Sequence, residues 1–297
     1  MRLQCTEALD TEDAAALSGT LLGEDSYDLL IDDDADVYRP DGQRLLSYRR
    51  HGVEAALCKM AFNVLRRINV PPTNRFLAVA GGTSPRPIVR AGYRSSTHRL
   101  VSTSPAVKGA SSAIIGYYDR AARFPFCRQT AFTMHQPGPW RRLLPFLAAV
   151  SDLFRSIVPE RWVAQRGWWD RTAVDFRIPD SVFTTVTVNK NWQTRVHKDA
   201  GDLVEGFGVM CALRGGAFSG GHLVFPRYRV AVDMRTTGVL MADVHEWHGN
   251  TPLVGNPGRF TRVSCVFYYR TAMRHCGTAE EELSRVRQRR RGEPLGP

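Results

Sequence analysis

The second half of the chain, after Pro179, consists of short β-branched and aromatic runs separated by Gly, Pro and Asn. Runs of this length and spacing form antiparallel strands, whereas a parallel sheet needs a crossover helix between successive strands. The runs are Ser181–Val188, Gly206–Leu213, His222–Phe225, Arg229–Met234, Gly238–Ala242 and Arg262–Tyr269. The pattern predicts an antiparallel sandwich or barrel, not a parallel α/β sheet.

The first half of the chain predicts helices and loops that pack on this β domain. Apolar residues recur at helical spacing through Glu54–Leu65 and again from Leu143 to Ile157, where Pro145 is compatible only with a first turn. Residues 81–112 have too little apolar periodicity for regular structure. The expected fold is α+β and mainly β, with residues 41–178 as a helical and loop support region and 179–275 as the core.

Charge is distributed unevenly along the 297 residues, whose formal net charge is +11. Residues 1–40 are acidic, and we expect a solvated surface segment there; folding over a basic groove is the alternative. Residues 276–297 are predicted to be a mobile basic tail. Nearly all of the positive charge is arginine, which suits phosphate contacts, but a codon bias of the genome explains the excess equally well.

The six cysteines contain no C-x-x-C pair, and no apolar run reaches the length of a signal peptide or a membrane span. We therefore expect a cytoplasmic, reducing compartment and neither secretion nor a membrane partner. A zinc ribbon and a disulfide scaffold are both disfavoured.

Three short segments carry side chains that can bind a metal or an anion. His197 and Asp199 are two residues apart and share one side of an extended chain. His245 and His248 follow the predicted strand Gly238–Ala242, and either can supply a third ligand. Alternate positions of the last strand place four polar side chains on one face, namely Arg262, Ser264, Tyr268 and Arg270.

Two histidines and one carboxylate on one face of a metal form the ligand set of non-haem Fe(II) oxygenases. An α-keto acid fills two of the open coordination sites. The distant carboxylate of 2-oxoglutarate then needs a buried cation that makes a two-pronged hydrogen bond, which Arg262 can provide.

The pattern H-x-D, then H and R-x-S on the last strand, resembles the Fe(II)/2-oxoglutarate dioxygenases of the double-stranded β-helix fold. Within them the chain is similar to the TET/JBP branch, which includes methylcytosine dioxygenases, base-J-type thymine hydroxylases and phage-encoded relatives. The resemblance covers roughly residues 181–272 and is most specific from His248 to Tyr268, with Thr-Pro-Leu, Asn-Pro and Thr-Arg-Val-Ser. It implies a cupin-like jelly-roll core with Fe(II), 2-oxoglutarate and O2 as cofactor and co-substrates.

The resemblance also implies a role for individual residues. It assigns iron to His197, Asp199 and His248, and 2-oxoglutarate to Arg262 with help from Ser264. His245 is expected to be structural; if it were the ligand, the roles of the two histidines would be exchanged.

The family places a base-reading polar group three residues after the metal aspartate, which here is Asp202. Where TET enzymes carry a base-contacting histidine, this chain has Arg270, which donates hydrogen bonds and cannot accept them. An ion pair of Arg270 with a carboxylate at the strand end is the alternative.

The resemblance implies hydroxylation of the C5 methyl group of a pyrimidine in DNA, with the nucleotide extruded from the duplex. Conversion of 5-methylcytosine to 5-hydroxymethylcytosine is the first expectation, and conversion of thymine to 5-hydroxymethyluracil is the second. An oxygenase of another substrate and a non-catalytic DNA-binding β domain remain as alternatives. Candidate DNA contacts are Trp192 and a group of loop arginines, Arg86, Arg90, Arg94 and Arg99.

Overall fold

The computed structural model describes residues 1–68, 93–95, 98–100, 112–121, 124–256 and 258–292. The helices are α1 Thr11–Ala16, α2 Ala55–Leu65, α3 Ala131–His135, α4 Pro137–Ile157, α5 Pro159–Arg171 and α6 Ala279–Arg291. The strands of the first half are β1 Arg2–Gln4, β2 Leu29–Ile31, β3 Ala35–Tyr38, β4 Arg44–Arg49, β5 Tyr93–Ser95, β6 His98–Leu100, β7 Ser112–Tyr118 and β8 Arg128–Gln129. Those of the second half are β9 Thr185–Lys190, β10 Gly208–Gly215, β11 Ser219–Gly220, β12 Leu223–Phe225, β13 Val230–Val232, β14 Val239–Ala242, β15 Gly249–Asn250, β16 Leu253–Val254 and β17 Thr261–Tyr268.

Two facing sheets form the β core. The major sheet has nine strands in the order β1-β3-β4-β14-β10-β17-β9-β7-β8, and the minor sheet has four in the order β15-β12-β13-β2. Apart from the parallel pairs β1–β3 and β2–β13, neighbouring strands of these sheets run antiparallel. This architecture confirms the predicted mainly β, jelly-roll class.

The major sheet is buried on both of its faces. One face packs against the minor sheet through residues such as Met210, Phe225 and Leu240, while the other packs against α2 and α4 through residues such as Phe146 and Phe267. Side chains alternate across a strand, so each strand of the major sheet contributes to two apolar clusters. Along β17 the odd-numbered residues face the helices and the even-numbered residues face the space between the sheets.

Both predicted helices are present, but the second begins earlier than expected. Because α4 starts at Pro137, Pro145 lies well inside the helix and not in its first turn. Pro145 is exposed, so water can reach the backbone carbonyl that the missing proline N–H leaves without a helical partner.

The acidic N-terminal segment is largely exposed, as its charge predicts, but it also contributes strands to both sheets. β1 and β3 extend the major sheet, and β2 completes the minor one. Gly19 and Thr20 exchange backbone hydrogen bonds of 2.9 Å with Val196, directly before the predicted metal ligand His197. The segment thus supports the backbone on which the metal site is built.

The predicted mobile tail is wrong for most of its length, because Ala279–Arg291 is a helix with a capping box between Thr278 and Glu281. Its Glu282 is buried and accepts hydrogen bonds from Arg120 (2.7 Å) and from the backbone N–H of Cys127 (2.6 Å). Cys127 and Cys276 form a disulfide across 149 residues, contrary to the expectation of reduced cysteines throughout. Among the described residues, no helix has both the length and the apolar character needed to span a bilayer.

Candidate metal centre and active site

The backbone brings His197 and His248 face to face. Each donates its backbone N–H to the carbonyl of the other at 2.9 Å, as an isolated antiparallel bridge at the end of the minor sheet. A Cβ atom on the neighbouring Gly249 would lie 3.1 Å from the backbone nitrogen of Val196, so glycine permits this close approach. Asp199 is held nearby because its N–H donates to Val244 at 2.9 Å.

The side chains of His197, Asp199 and His248 converge on one point. One ligand atom from each residue lies within 4.8 Å of the other two. Nε2 of His197 is 3.4 Å from the Asp199 carboxylate, and Nε2 of His248 is 4.0 Å from it. Among the described residues this is the one group of three or more such side chains that can hold a metal ion.

Hydrogen bonds fix which nitrogen of each histidine is available. Nδ1 of His197 lies 2.8 Å from the carbonyl of Arg195, and Nδ1 of His248 lies 2.9 Å from the carbonyl of Glu246. A carbonyl only accepts, so Nδ1 carries the proton in both rings and Nε2 presents its lone pair. Burial and the neighbouring His197 lower the pKa of His248 to about 4, which keeps this ring neutral.

His245 lies outside this cluster. Its Nδ1 is 3.3 Å from the carboxylate of Asp243, which also forms an ion pair with Arg39 at 2.6 Å. Its ring further contacts the backbone of Asp202. The geometry therefore favours His248 as the third ligand and gives His245 a structural position between two loops.

Arg262 is a buried cation at the start of β17. Its side chain donates to the carbonyl of Gly221 at 3.0 Å, and among the described residues no carboxylate lies within 4.0 Å of it. Burial, followed by the nearby Arg214, lowers the pKa of Arg262 to about 10, so the guanidinium is still charged at neutral pH. The nearby Asp233 already pairs with Arg214 and Arg235.

Gly221 allows the approach to Arg262, because it has a φ of +72° and a Cβ there would lie 3.1 Å from Nε of Arg262. A buried charge without a partner is costly, so this pocket is built to receive an anion.

A row of polar side chains crosses the same face of the major sheet. Ser264 of β17 pairs in register with Asn189 of β9, which in turn pairs with Ser112 of β7. Oδ1 of Asn189 and Oγ of Ser112 are buried without a hydrogen-bond partner among the described residues. Buried polar atoms are normally paired, so this row has unused capacity for a polar ligand beside Arg262.

Asp202 and Arg270 meet at the other end of β17, where they form an isolated β-bridge. Arg270 also binds Asp119 through two hydrogen bonds of 2.9 and 3.1 Å. The ion-pair alternative for Arg270 is thus present in the structure, with Asp119 as its partner. Its two contacts hold one edge of the guanidinium in a fixed orientation beside Asp202.

Comparisons with known proteins agree with this geometry. Residues 113–271 match the Tet_JBP family, described as the oxygenase domain of the 2OGFeDO superfamily. The chain belongs to this family.

Among its relatives, thymine dioxygenase JBP1 of Trypanosoma brucei brucei is 37% identical over 183 residues, which are 60% of this chain and 21% of that protein. Thymine dioxygenase JBP1 of Leishmania major is 32% identical over 190 residues, 63% of this chain and 23% of that protein. The Tet_JBP chain thus matches only about a fifth of the length of these relatives. The solved structure of NgTET1 in complex with 5mC DNA shares the fold, with a TM-score of 0.56 and 12% identity over 91% of this chain and 90% of that one.

Residues 113–271 thus match an oxygenase domain of the 2OGFeDO superfamily, which implies Fe(II), 2-oxoglutarate and O2 as cofactor and co-substrates. The site fits these groups. Two neutral imidazole nitrogens and one carboxylate are the donors that a facial iron site requires. Arg262, Ser112 and Asn189, whose buried polar groups lack a carboxylate or hydrogen-bond partner among the described residues, suit a dicarboxylate.

Sequence reasoning missed Asp119, Asn189 and Ser112 in this Tet_JBP oxygenase. Ser112 and Asp119 lie in the predicted support region, and Asn189 lies in the first core strand. No sequence motif marks any of the three. The proposed DNA contacts Arg86 and Arg90 lie outside the described residues, and nothing is described of the side chains of Arg94 and Arg99. Trp192 is half-buried.

Proposed function

We propose that this chain hydroxylates the C5 methyl group of a pyrimidine in DNA. The observation that carries the proposal is the pairing of the His197, Asp199 and His248 cluster with the uncompensated buried cation Arg262. DNA as the substrate is supported by the relatives, which are thymine dioxygenases at 32–37% identity.

In the proposed mechanism, His197, Asp199 and His248 hold the iron. The carbonyls of Arg195 and Glu246 orient the two rings, so that both Nε2 atoms point to one position. Bound Fe(II) supplies, together with 2-oxoglutarate and O2, the oxidising chemistry that a methyl C–H bond requires.

Arg262 and Ser264 bind the distant carboxylate of 2-oxoglutarate, and Asn189 and Ser112 complete the polar surface beside them. A carboxylate of 2-oxoglutarate forms an ion pair with the buried guanidinium of Arg262. Because folding has already removed water from this guanidinium, binding does not have to desolvate it again, and the ion pair contributes to the affinity for 2-oxoglutarate.

Asp202 and Arg270 contact the target base, which leaves the duplex stack to reach the iron site. Asp202 accepts from the exocyclic amine of cytosine or the ring N–H of thymine, while Arg270 donates to a ring carbonyl of either base. 5-Methylcytosine is the first candidate substrate, because the segment His248–Tyr268 resembles the corresponding segment of TET enzymes. Thymine is the second, favoured by the names of the similar relatives.

The test is incubation of the purified chain with Fe(II), 2-oxoglutarate and two duplexes that differ only in cytosine methylation, followed by mass analysis of the nucleosides. 5-Hydroxymethylcytosine from the methylated duplex alone identifies 5-methylcytosine as the substrate, and 5-hydroxymethyluracil from both identifies thymine. The absence of any oxidised pyrimidine contradicts the proposal.

A further inference from the structure

A surface on α5 and on the turn after β17 combines an indole ring with two exposed arginines. The guanidinium of Arg171 lies 4.0 Å from the ring centroid of Trp168, and that of Arg274 lies 5.4 Å from it. Both arginines are exposed and Trp168 is half-buried. We call Trp168, Arg171 and Arg274 the Trp168 surface.

The Trp168 surface adjoins the residues proposed to contact the base. Thr271 donates its N–H to Gly201 at 2.9 Å, which ties the turn Thr271–His275 to the loop that carries Asp202. Arg274 follows Arg270 by four residues, or about 8 Å at the ~2.0 Å rise of a 3-10 turn. Along the axis of a duplex this corresponds to about two base-pair steps of ~3.4 Å.

Within the part of the chain that the structure describes, the two arginines differ from their neighbours on the same helix layer in having no acidic partner. Arg155 and Arg166 also lie over an indole, that of Trp162, but they pair with Asp152 at 3.1 Å and with Asp170 at 2.8 Å. Neither Arg171 nor Arg274 forms an ion pair with a described residue, and each uses only Nε in a hydrogen bond, to Gly167 and His275 respectively.

Their remaining N–H groups therefore stay available to an anion. Stacking on an indole restrains the guanidinium plane without using its donors.

We propose that the Trp168 surface binds the sugar-phosphate backbone of duplex DNA beside the nucleotide that enters the site. The proposal rests on the proposed function, since it takes DNA as the substrate. Arg171 and Arg274 present two oriented guanidinium groups that have no acidic partner among the described residues. They lie a few nucleotide steps from the residues proposed to contact the base, and this spacing matches the regular phosphates of a duplex.

The test uses the full chain with Arg171→Gln and Arg274→Gln combined and measures binding to a labelled duplex over a range of salt concentrations. Loss of two phosphate contacts lowers the slope of log K against log salt by about 1.8 and weakens binding by roughly tenfold or more. The matched control combines Arg155→Gln and Arg166→Gln, which removes the same number of stacked charges from paired positions. Its expected slope and affinity are those of the original chain.

Two further measurements separate the possible outcomes. Arg171→Lys with Arg274→Lys keeps the charge, so the salt slope should return close to the original value. Turnover of 2-oxoglutarate without DNA should be equal in all variants, which shows an intact iron site.

The proposal is overturned if the double glutamine variant binds with unchanged affinity and slope. If the original chain oxidises DNA while the variant is unchanged, only the surface assignment fails. If the original chain neither binds nor oxidises DNA, the proposed function fails with it.

Discussion

Arg262 is the residue whose environment says most about the chemistry of this site. The fold buries its guanidinium against Gly221 and leaves it without a described carboxylate partner. Structural arginines in a core are paired, as Arg214 and Asp233 are in the same region at 2.7 Å. A negatively charged ligand would explain why Arg262 has no carboxylate partner among the described residues.

Replacement of Arg262 by Met tests this explanation. The variant without 2-oxoglutarate should be as stable as the original chain or more stable by about 1–3 kcal/mol, because an uncompensated buried charge is removed. With Mn(II) present, 2-oxoglutarate at a hundred times its Kd should stabilise the original chain by about 2.7 kcal/mol and leave the variant unaffected. Thermal unfolding with and without 2-oxoglutarate measures both effects, and equal stabilisation of the two proteins would exclude Arg262 as the anchor.

Asp119 is the second residue with a testable role, because it binds Arg270 through two hydrogen bonds. Asp119→Asn keeps the shape but removes the charge that orients Arg270. We expect kcat/KM for DNA to fall about tenfold, equivalent to ~1.4 kcal/mol, while KM for 2-oxoglutarate stays constant. Steady-state kinetics with each substrate varied in turn measure this, and Asp119→Glu should restore part of the loss. An unchanged kcat/KM for DNA would mean that the pair only joins two strands.

At the scale of elements, the strands after Pro179 could be predicted because short β-branched and aromatic runs separated by Gly, Pro and Asn are a local property of the sequence. Each predicted run contains or overlaps an observed strand, for example β9, β10 and β17. β4 and β7 could not be predicted in this way. Each is a single strand among the helices and loops of the first half, outside the regularly spaced series of runs that marks the core.

The proposed metal ligands and Arg262 could be selected from sequence for the same reason, since they lie within short motifs on neighbouring segments. Asp119 is 151 residues from Arg270, and the row of Ser112, Asn189 and Ser264 exists only through strand pairing. Such partners leave no spacing signal in a single sequence.

The disulfide between Cys127 and Cys276 connects the segment before α6 to the residue before β8. A crosslink over 149 residues should stabilise the oxidised protein by about 2–5 kcal/mol. Thermal unfolding with and without dithiothreitol should therefore differ by several degrees, and the double variant Cys127→Ser, Cys276→Ser should not respond to the reductant. Six free thiols in a titration of the oxidised protein would contradict the crosslink.

At the scale of the molecule, the jelly roll brings the parts of one reaction together from distant segments. The N-terminal segment supports the backbone before His197, and the minor sheet ends at His248. The major sheet carries Arg262 at one end of β17 and Arg270 at the other. Four of the many arginines have a proposed role: Arg262 in a buried anion site, Arg270 at the target base, and Arg171 and Arg274 on the Trp168 surface.

The central claim is that these parts insert oxygen into a pyrimidine methyl group of DNA. The most direct measurement is a reaction of the full chain under ¹⁸O2 with duplex DNA, Fe(II) and 2-oxoglutarate, analysed by nucleoside mass spectrometry, with His197→Ala as the control. We expect a 5-hydroxymethyl pyrimidine that carries ¹⁸O in its hydroxyl group, and no product from His197→Ala. Turnover of 2-oxoglutarate that is indifferent to DNA, with no labelled nucleoside, would contradict the claim.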